Sequence, residues 1–353
     1  MSALRLLCVL PVGPALCCAA GAPVLNADVA IYGSTVCGVT AAVGASRAFP
    51  NTTVVWLVNS TRLGGMTSGG LGGRDAQKIL PLGGLAGDLW GPLCSKSAGA
   101  GCGFEPHAAE ASVEALLSTA PNVVVRRNTG WLMSVVSAGS YPRQIRSIQT
   151  QSGLAVHARQ FVDCSYEGDL LRMSGTDFTV GREARSEYNE SAAGVDGQTH
   201  PHVGVDQTPS MFAEDVSPWT DALNATLLPG IVGLQNYSDA QAGHADDWVQ
   251  SFCFRLCLTT RENNSLPIRA PADYTPAAME LLRRQILSMT KRGMKLHMRD
   301  TRVDGQLQRG MFLIRDLPND KIDLNSGAFS DAPFSTDMPF LQHGWPLGSP
   351  HER

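Results

Sequence analysis

Asp28-Val-Ala-Ile-Tyr-Gly33-Ser-Thr-Val-Cys-Gly38-Val-Thr-Ala-Ala-Val43 reads as an apolar strand, a glycine turn and the start of a helix. A second apolar run, Thr53-Val-Val-Trp-Leu-Val58, comes next, and Arg62-Leu-Gly64-Gly65-Met66 follows it. That order is a βαβ unit with a dinucleotide-binding turn. A pyrophosphate needs bare backbone N–H groups and the positive end of a helix dipole. Gly33 suits the tight turn that a side chain would block. Gly38 lets the helix pack closely on the preceding strand.

The turn departs from G-x-G-x-x-G at its middle glycine, which is Thr35. The acid that commonly holds a ribose hydroxyl lies about 20 residues further on, and Asn59 stands there instead. An amide can still hydrogen-bond a ribose, without the charge. The Gly33-to-Gly38 spacing also begins like a triphosphate-binding loop, but Val39-Thr40 stands where lysine and Ser/Thr would be needed. Incidental glycines in an ordinary strand–turn–helix are the competing reading, and the second glycine cluster argues against it.

The 353 residues are 43% hydrophobic and 17% charged, the composition of a folded chain with room for two domains. A net charge of −4 gives no reason to expect nucleic acid or an anionic membrane as partner. Residues 1–20 read as a secretory leader: Arg5 supplies the positive end, Leu6 to Leu10 the apolar stretch, and Cys17-Cys-Ala-Ala20 the small residues before a cut. The segment is short for a membrane span, and a disordered or buried N-terminus is the alternative.

Acceptor patterns for N-glycans at Asn51, Asn59, Asn189, Asn224, Asn236 and Asn263 agree with a secreted or lumenal location. Asn59 carries a conflict, because a residue facing a ribose cannot hold a glycan. Of the nine cysteines, Cys8, Cys17 and Cys18 leave with the leader. Cys94 and Cys102 bracket a Gly/Ala/Ser loop and are the disulfide candidates. Cys37 and Cys164 read as small buried residues. No C-x-x-C pair suggests zinc. His200-Pro-His202 has no evident third ligand, so no metal is expected.

Further along, residues 105–118 have helical apolar spacing at Ala108, Ala111, Ala115 and Leu116. Residues 122–126, 131–137, 144–150 and 154–162 read as strands, the last three as an antiparallel meander inserted at about 131–160. Residues 165–174 and 275–292 read as helices, and 251–258 as a strand. From about 175 the pattern becomes irregular, a form that a long binding surface can take.

Taken together, the glycine turn, Arg62-Leu-Gly64-Gly65-Met66-Thr-Ser-Gly-Gly70-Leu-Gly and Phe161-Val-Asp163-Cys-Ser-Tyr-Glu167-Gly168-Asp169 resemble the FAD-dependent oxidoreductase family with the glutathione-reductase-like flavin fold. Thr179-Val-Gly181-Arg182-Glu183-Ala, Phe254-Arg255-Leu-Cys-Leu-Thr-Thr260, Lys321-Ile-Asp323-Leu-Asn325 and Ser335-Thr-Asp337 extend the resemblance from about 28 to 340. It implies FAD as cofactor, with Gly33, Ser34, Thr35 and Gly38 cradling the pyrophosphate and Asn59 at the ribose position. Arg62, Gly64, Gly65 and Met66 match the second flavin-contact motif. Val125 would lie near the adenine, and Asp163 would end a strand that passes the cofactor again. Arg182 and Glu183 read as a structural ion pair. Arg255 reads either as a structural arginine or as a clamp for a substrate anion.

The resemblance also implies a later strand and helix that close over the flavin, whereas this sequence stops at Arg353. The expected fold class is α/β. A Rossmann-like FAD-binding domain (28–175) carries the β insertion, and an irregular, incomplete α+β substrate domain follows (176–353). The expected function is hydride transfer between flavin and a small organic substrate. A secreted non-catalytic glycoprotein that kept the scaffold is the alternative. No G-x-S-x-G, H-E-x-x-H or P-loop lysine supports hydrolase, metalloprotease or kinase chemistry.

Overall fold

The computed structural model describes residues 23–74, 82–95, 102–140, 143–195, 215–221, 226–229, 242–247, 249, 252–272, 274–293, 297, 301–303, 306–308, 313–325, 337–338 and 345–349. The expected leader, His200, His202, Asn224 and Asn236 lie outside the described residues.

Strand β1 (Val24–Tyr32) runs through the glycine turn into helix α1 (Val36–Ala48), and β2 (Val54–Leu57) returns beside β1. A short helix α2 (Met66–Gly69) and strand β3 (Gly73–Arg74) follow. Helix α3 (Gly84–Cys94), strand β4 (Cys102–Gly103) and helix α4 (Pro106–Leu117) lead to β5 (Val123–Arg126). Then come β6 (Leu132–Ala138), β7 (Gln144–Thr150), β8 (Ala155–Asp163) and α5 (Asp169–Ser174).

Six strands form one sheet in the order β5-β2-β1-β8-β7-β6. The first four are parallel, and β7 and β6 continue the same sheet in antiparallel fashion. The parallel part has the order of a doubly wound nucleotide-binding half. The meander is therefore continuous with the main sheet, and β8 serves both parts by pairing with β1 on one side and β7 on the other.

Alternation along the strands supplies two cores. Ile31, Val54 and Trp56 face α1 and α4, where Val39, Val43, Val113 and Leu116 meet them. Tyr32, Val55 and Leu57 face the other way, toward Leu132, Ile148 and Val156. Every residue of β2 is buried, as expected for a strand covered on both faces. Each such side chain contributes about 1.5–3 kcal/mol on burial. Helix α4 forms where expected, but its buried face is Ala109, Val113 and Leu116 rather than the alanines at 108, 111 and 115. In an alanine-rich helix the spacing of small residues is ambiguous, and the larger Val113 and Leu116 take the core.

The second half contains α6 (Arg185–Tyr188), β9 (Phe252–Cys253) and β10 (Leu256–Thr259). Helix α7 (Glu280–Lys291), β11 (Thr301–Val303) and β12 (Gln306–Gln308) come next. The described elements end with β13 (Leu313–Leu317), β14 (Lys321–Asn325) and β15 (Asp337–Met338). An antiparallel sheet has the order β10-β14-β13. The strand expected over 251–258 divides at Phe254-Arg255, so that β9 pairs with β15 and β10 with β14. Helix α7 packs on the 215–219 segment: Ser288 donates to Asp215 Oδ1 at 2.6 Å, and Arg284 donates to the Ser217 and Trp219 carbonyls at 2.8 Å. Arg182 takes Asp246 as its ion-pair partner, not Glu183, because the chain at 182 runs alongside 246.

Candidate cofactor site

The glycine turn is built as its chemistry requires. Gly33 has φ +116°, and a Cβ there would lie 2.2 Å from the carbonyl carbon and oxygen of Cys164. A Cβ on Gly38 would meet the Trp56 indole nitrogen at 2.4 Å. That indole is fixed in place, because its Nε1–H donates to the Gly33 carbonyl at 2.7 Å. Helix α1 starts at Thr35 with no side-chain cap and no acid in its first turn. Its first turn thus presents N–H groups without a protein anion to neutralise them, the arrangement that binds phosphate.

Thr35, which stands for the missing middle glycine, is buried and turns its hydroxyl away to donate to the Cys164 carbonyl at 2.8 Å. The side chain thereby gains a fixed position tying α1 to the end of β8. Asn59 follows β2, and its Oδ1 is buried with no hydrogen-bond partner among the described residues. A buried amide oxygen without a donor is costly unless a ligand supplies one, and a ribose hydroxyl is such a donor.

The two glycine clusters meet. The Gly64 N–H donates to the Ser34 carbonyl at 2.8 Å, and Thr35 and Gly64 pair as an isolated parallel bridge. Gly64 and Gly65 both have positive φ, +102° and +57°. Tyr166 lies directly over them: a Cβ on Gly65 would be 2.3 Å from its hydroxyl, which accepts the Met66 N–H at 2.6 Å. Burial raises the Tyr166 phenol above its ordinary pKa, against the lowering effect of the Met66 hydrogen bond. Nothing in the sequence around Tyr166 reveals that it holds a turn 100 residues earlier.

The remaining expected residues divide. Gly33, Ser34, Thr35, Gly38, Asn59, Gly64, Gly65 and Met66 come together around the turn, with the Met66 side chain exposed. Arg62 points its guanidinium to Glu110 of α4 at 3.0 Å, so the structure uses it to anchor the second loop. Val125 packs into the core beside Trp56, leaving only its backbone to face a ligand. Asp163 lies beside the turn, opposite Tyr32 in the sheet. Its Oδ1 accepts from the Ser165 N–H and hydroxyl, and its Oδ2 from the Leu171 N–H. It shapes the return loop.

Cys164 is buried as expected, but Cys37 is exposed, and the two are joined by a disulfide with Cα atoms 5.4 Å apart that the reading of them as small buried residues did not foresee. The pairing joins the second residue of α1 to the residue after β8, a proximity that only the parallel β1–β8 contact creates. Cys94 and Cys102 are joined as expected. Among the described residues no group of His, Cys, Asp and Glu could hold a metal, and no helix is long and apolar enough to cross a membrane.

The second sheet is fastened to this half through Glu105, which is buried. It accepts from Asn319 at 2.8 Å and from Lys321 at 3.1 Å. Burial acts to raise its pKa, but these two donors outweigh that and hold the carboxyl below its ordinary value. A depressed folded-state pKa gives stability that is present above the unfolded pKa and lost as pH falls through the folded one. We expect Lys321→Met to destabilise the chain by about 1–2 kcal/mol at neutral pH. We expect the difference from the native chain to shrink in urea titrations repeated below the ordinary glutamate value of 4.5. A deficit that is the same at every pH would contradict this account.

The FAD dependent oxidoreductase family model matches residues 28–335. No curated protein matches the sequence. Among solved structures, E. coli quinol fumarate reductase FrdA is similar at 13% identity and TM-score 0.34, over 53% of this chain and 41% of that one. p-Nitrophenol 4-monooxygenase PnpA from Pseudomonas putida is similar at 13% identity and TM-score 0.32, over 46% of each chain. L-Proline dehydrogenase from P. horikoshii is similar at 17% identity and TM-score 0.26, over 46% of this chain and 25% of that one. The chain thus spans less than half the length of each of these three proteins. Paired glycine turns, an uncapped helix start and an open amide acceptor suit the family's cofactor, FAD, and the match over residues 28–335 establishes that the chain belongs to the FAD dependent oxidoreductase family.

Proposed function

We propose that the protein is a flavoenzyme that oxidises or reduces a small organic substrate by hydride transfer. The observation that carries the reading is the junction of the two glycine turns at the bare N-terminus of α1. FAD, when bound, supplies the hydride acceptor or donor. In this reading the protein's tasks are local. The first turn of α1, with Gly33, Ser34 and Thr35, binds the pyrophosphate. Asn59 Oδ1 accepts from a ribose hydroxyl. Gly64 and Gly65 let backbone approach the cofactor, and Tyr166 holds that loop in place through the Met66 N–H.

The test is the visible spectrum of the chain from Gly21 onward, secreted from a eukaryotic host. Flavin bands that persist through gel filtration are expected, and substrates are then screened by bleaching of those bands. A protein that stays colourless after incubation with FAD would overturn the reading. Asn59→Leu is expected to weaken FAD binding by about tenfold, the worth of one hydrogen bond, without lowering the unfolding midpoint of the flavin-free chain.

We further propose that the chain passes through the secretory pathway. Asn51, Asn189 and Asn263 are exposed, whereas the side-chain oxygen of Asn59 is buried. Glycopeptide mass spectrometry of the secreted chain should find Asn59 bare and glycans on one or more of the exposed three. A glycan on most copies of Asn59 would remove it from the cofactor site.

A further inference from the structure

We infer that the Cys37–Cys164 disulfide is a redox latch on the glycine turn: a dithiol opens it by attack at Cys37, and that opening and FAD binding oppose each other. Entry at Cys37 stands on the chain alone, while the coupling rests on the flavoenzyme reading above. The two sulfurs differ in access. Cys37 is exposed, and Cys164 is 2% exposed. Thiol–disulfide exchange passes through a mixed disulfide, and access helps to decide which sulfur is attacked. The second bridge offers no comparable entry, because Cys94 and Cys102 are both buried. In the exchange, a reductant thiolate attacks Cys37 Sγ, the S–S bond breaks, and Cys164 leaves as a thiolate that takes up a proton. The reductant's second thiol then displaces Cys37 and closes the reductant's own disulfide. Two electrons and two protons leave the dithiol. The electrons end on the two cysteines, and none passes to the flavin.

The latch sits on the part of the chain that would hold the pyrophosphate. Cys37 is the second residue of α1, a 13-residue helix with no side-chain cap and no acid in its first turn. A helix N-terminus stabilises a thiolate, so the opened form places negative charge where the phosphates would bind. Two anions at one helix end repel each other. Cys164 acts from the opposite side of the turn. Its carbonyl accepts from Thr35 Oγ1 at 2.8 Å, and a Cβ on Gly33 would lie 2.2 Å from that carbonyl. The bridge therefore clamps the first turn of α1 onto the strand end against which Gly33 is shaped. Once it opens, the Thr35 hydrogen bond remains but the covalent tie is gone, and the turn is less preorganised for a ligand. Coupling of this kind is reciprocal: FAD resists opening by the same factor by which opening weakens FAD, and such factors are about 5- to 150-fold.

The test equilibrates the full secreted chain in mixtures of reduced and oxidised dithiothreitol, with and without saturating FAD. Samples are acid-quenched and alkylated, and each cysteine is read by peptide mass spectrometry. FAD is expected to raise the reduced-to-oxidised ratio needed to half-open Cys37–Cys164 by about fivefold or more, and to leave Cys94–Cys102 unmoved. The opened chain is expected to unfold cooperatively and to bind FAD more weakly by the same factor. Brief exposure to glutathione is expected to place the mixed disulfide on Cys37. A bridge that stays closed at every ratio, a chain that unfolds when it opens, an adduct on Cys164, or earlier opening of Cys94–Cys102 overturns the inference. An equal effect of FAD on both bridges does so too, since that reports only general stabilisation of the fold. Flavin absorbance is recorded on the same samples. A yellow chain whose bridge ignores FAD refutes the latch alone. A chain that takes up no FAD refutes the flavoenzyme reading and the coupling with it, and the glutathione adduct still decides the entry at Cys37.

Discussion

Gly33→Ala should destabilise the protein by about 2–6 kcal/mol and abolish flavin retention. Two costs add. The backbone at Gly33 has φ +116°, which an L side chain rarely adopts, and such strain costs about 1–3 kcal/mol. The new methyl would sit 2.2 Å from the Cys164 carbonyl and 2.3 Å from the Ser165 nitrogen, and overpacking of this kind costs about 1–3 kcal/mol. Neither neighbour can yield easily. The Cys164 N–H is bonded to the Tyr32 carbonyl at 2.7 Å, the Cys164 carbonyl accepts from Thr35, and the Cys164 sulfur is bonded to Cys37. Gly44→Ala is the control. It lies within α1, and its Cβ would find only Leu85 Cδ1 at 3.8 Å. There alanine should be neutral or stabilise by up to about 1 kcal/mol through helix propensity. Urea midpoints at unchanged slope give both values. A Gly33→Ala chain within about 1 kcal/mol of the native one would show that the turn is not the closed structure described above.

The second large effect concerns the two disulfides, whose contributions should rise with the logarithm of the length of chain they enclose. Cys37 and Cys164 are 127 residues apart, and Cys94 and Cys102 only 8. Loop-closure entropy assigns about 4–5 kcal/mol to the first and about 2.5 kcal/mol to the second. The Cys37→Ala/Cys164→Ala double variant should therefore lose clearly more stability than Cys94→Ala/Cys102→Ala. It should also lose flavin more readily, because its bridge ties the first turn of α1 to the end of β8. Production in a reducing cytosol should mimic the combined loss, since thiols stay reduced there. Equal losses for the two pairs, or a native chain whose melting point ignores a reductant, would refute this ranking.

Both effects centre on Cys164, a residue whose importance the sequence conceals. The glycine spacing at 33 and 38 is a local pattern and announces its own geometry, since a strand, a tight turn and a helix leave few alternatives. The apolar runs of β1 and β2 and the turn-bounded strands β7 and β8 are legible for the same reason: each pattern needs only neighbours in sequence. Helix α4 was legible as a helix but not in its orientation, because small residues satisfy a core and a surface equally well. Tyr166 over Gly65 and Asp323 under Gly72 were not legible at all. Each is a contact between segments that no periodicity relates.

By itself, then, the sequence determined the βαβ unit, the two glycine turns and the family to which their order belongs. Backbone sterics and hydrophobic alternation act within a few residues, and those interactions are written in adjacent letters. Only the tertiary structure decided that Thr35 turns its hydroxyl to Cys164 and that Arg62 serves Glu110. Only it joined Cys37 to Cys164 and set beside the glycine loop a carboxylate oxygen with no hydrogen-bond partner among the described residues. Those outcomes follow from which strands become neighbours, and strand order is settled by the burial of both sheet faces at once rather than by any single stretch of chain.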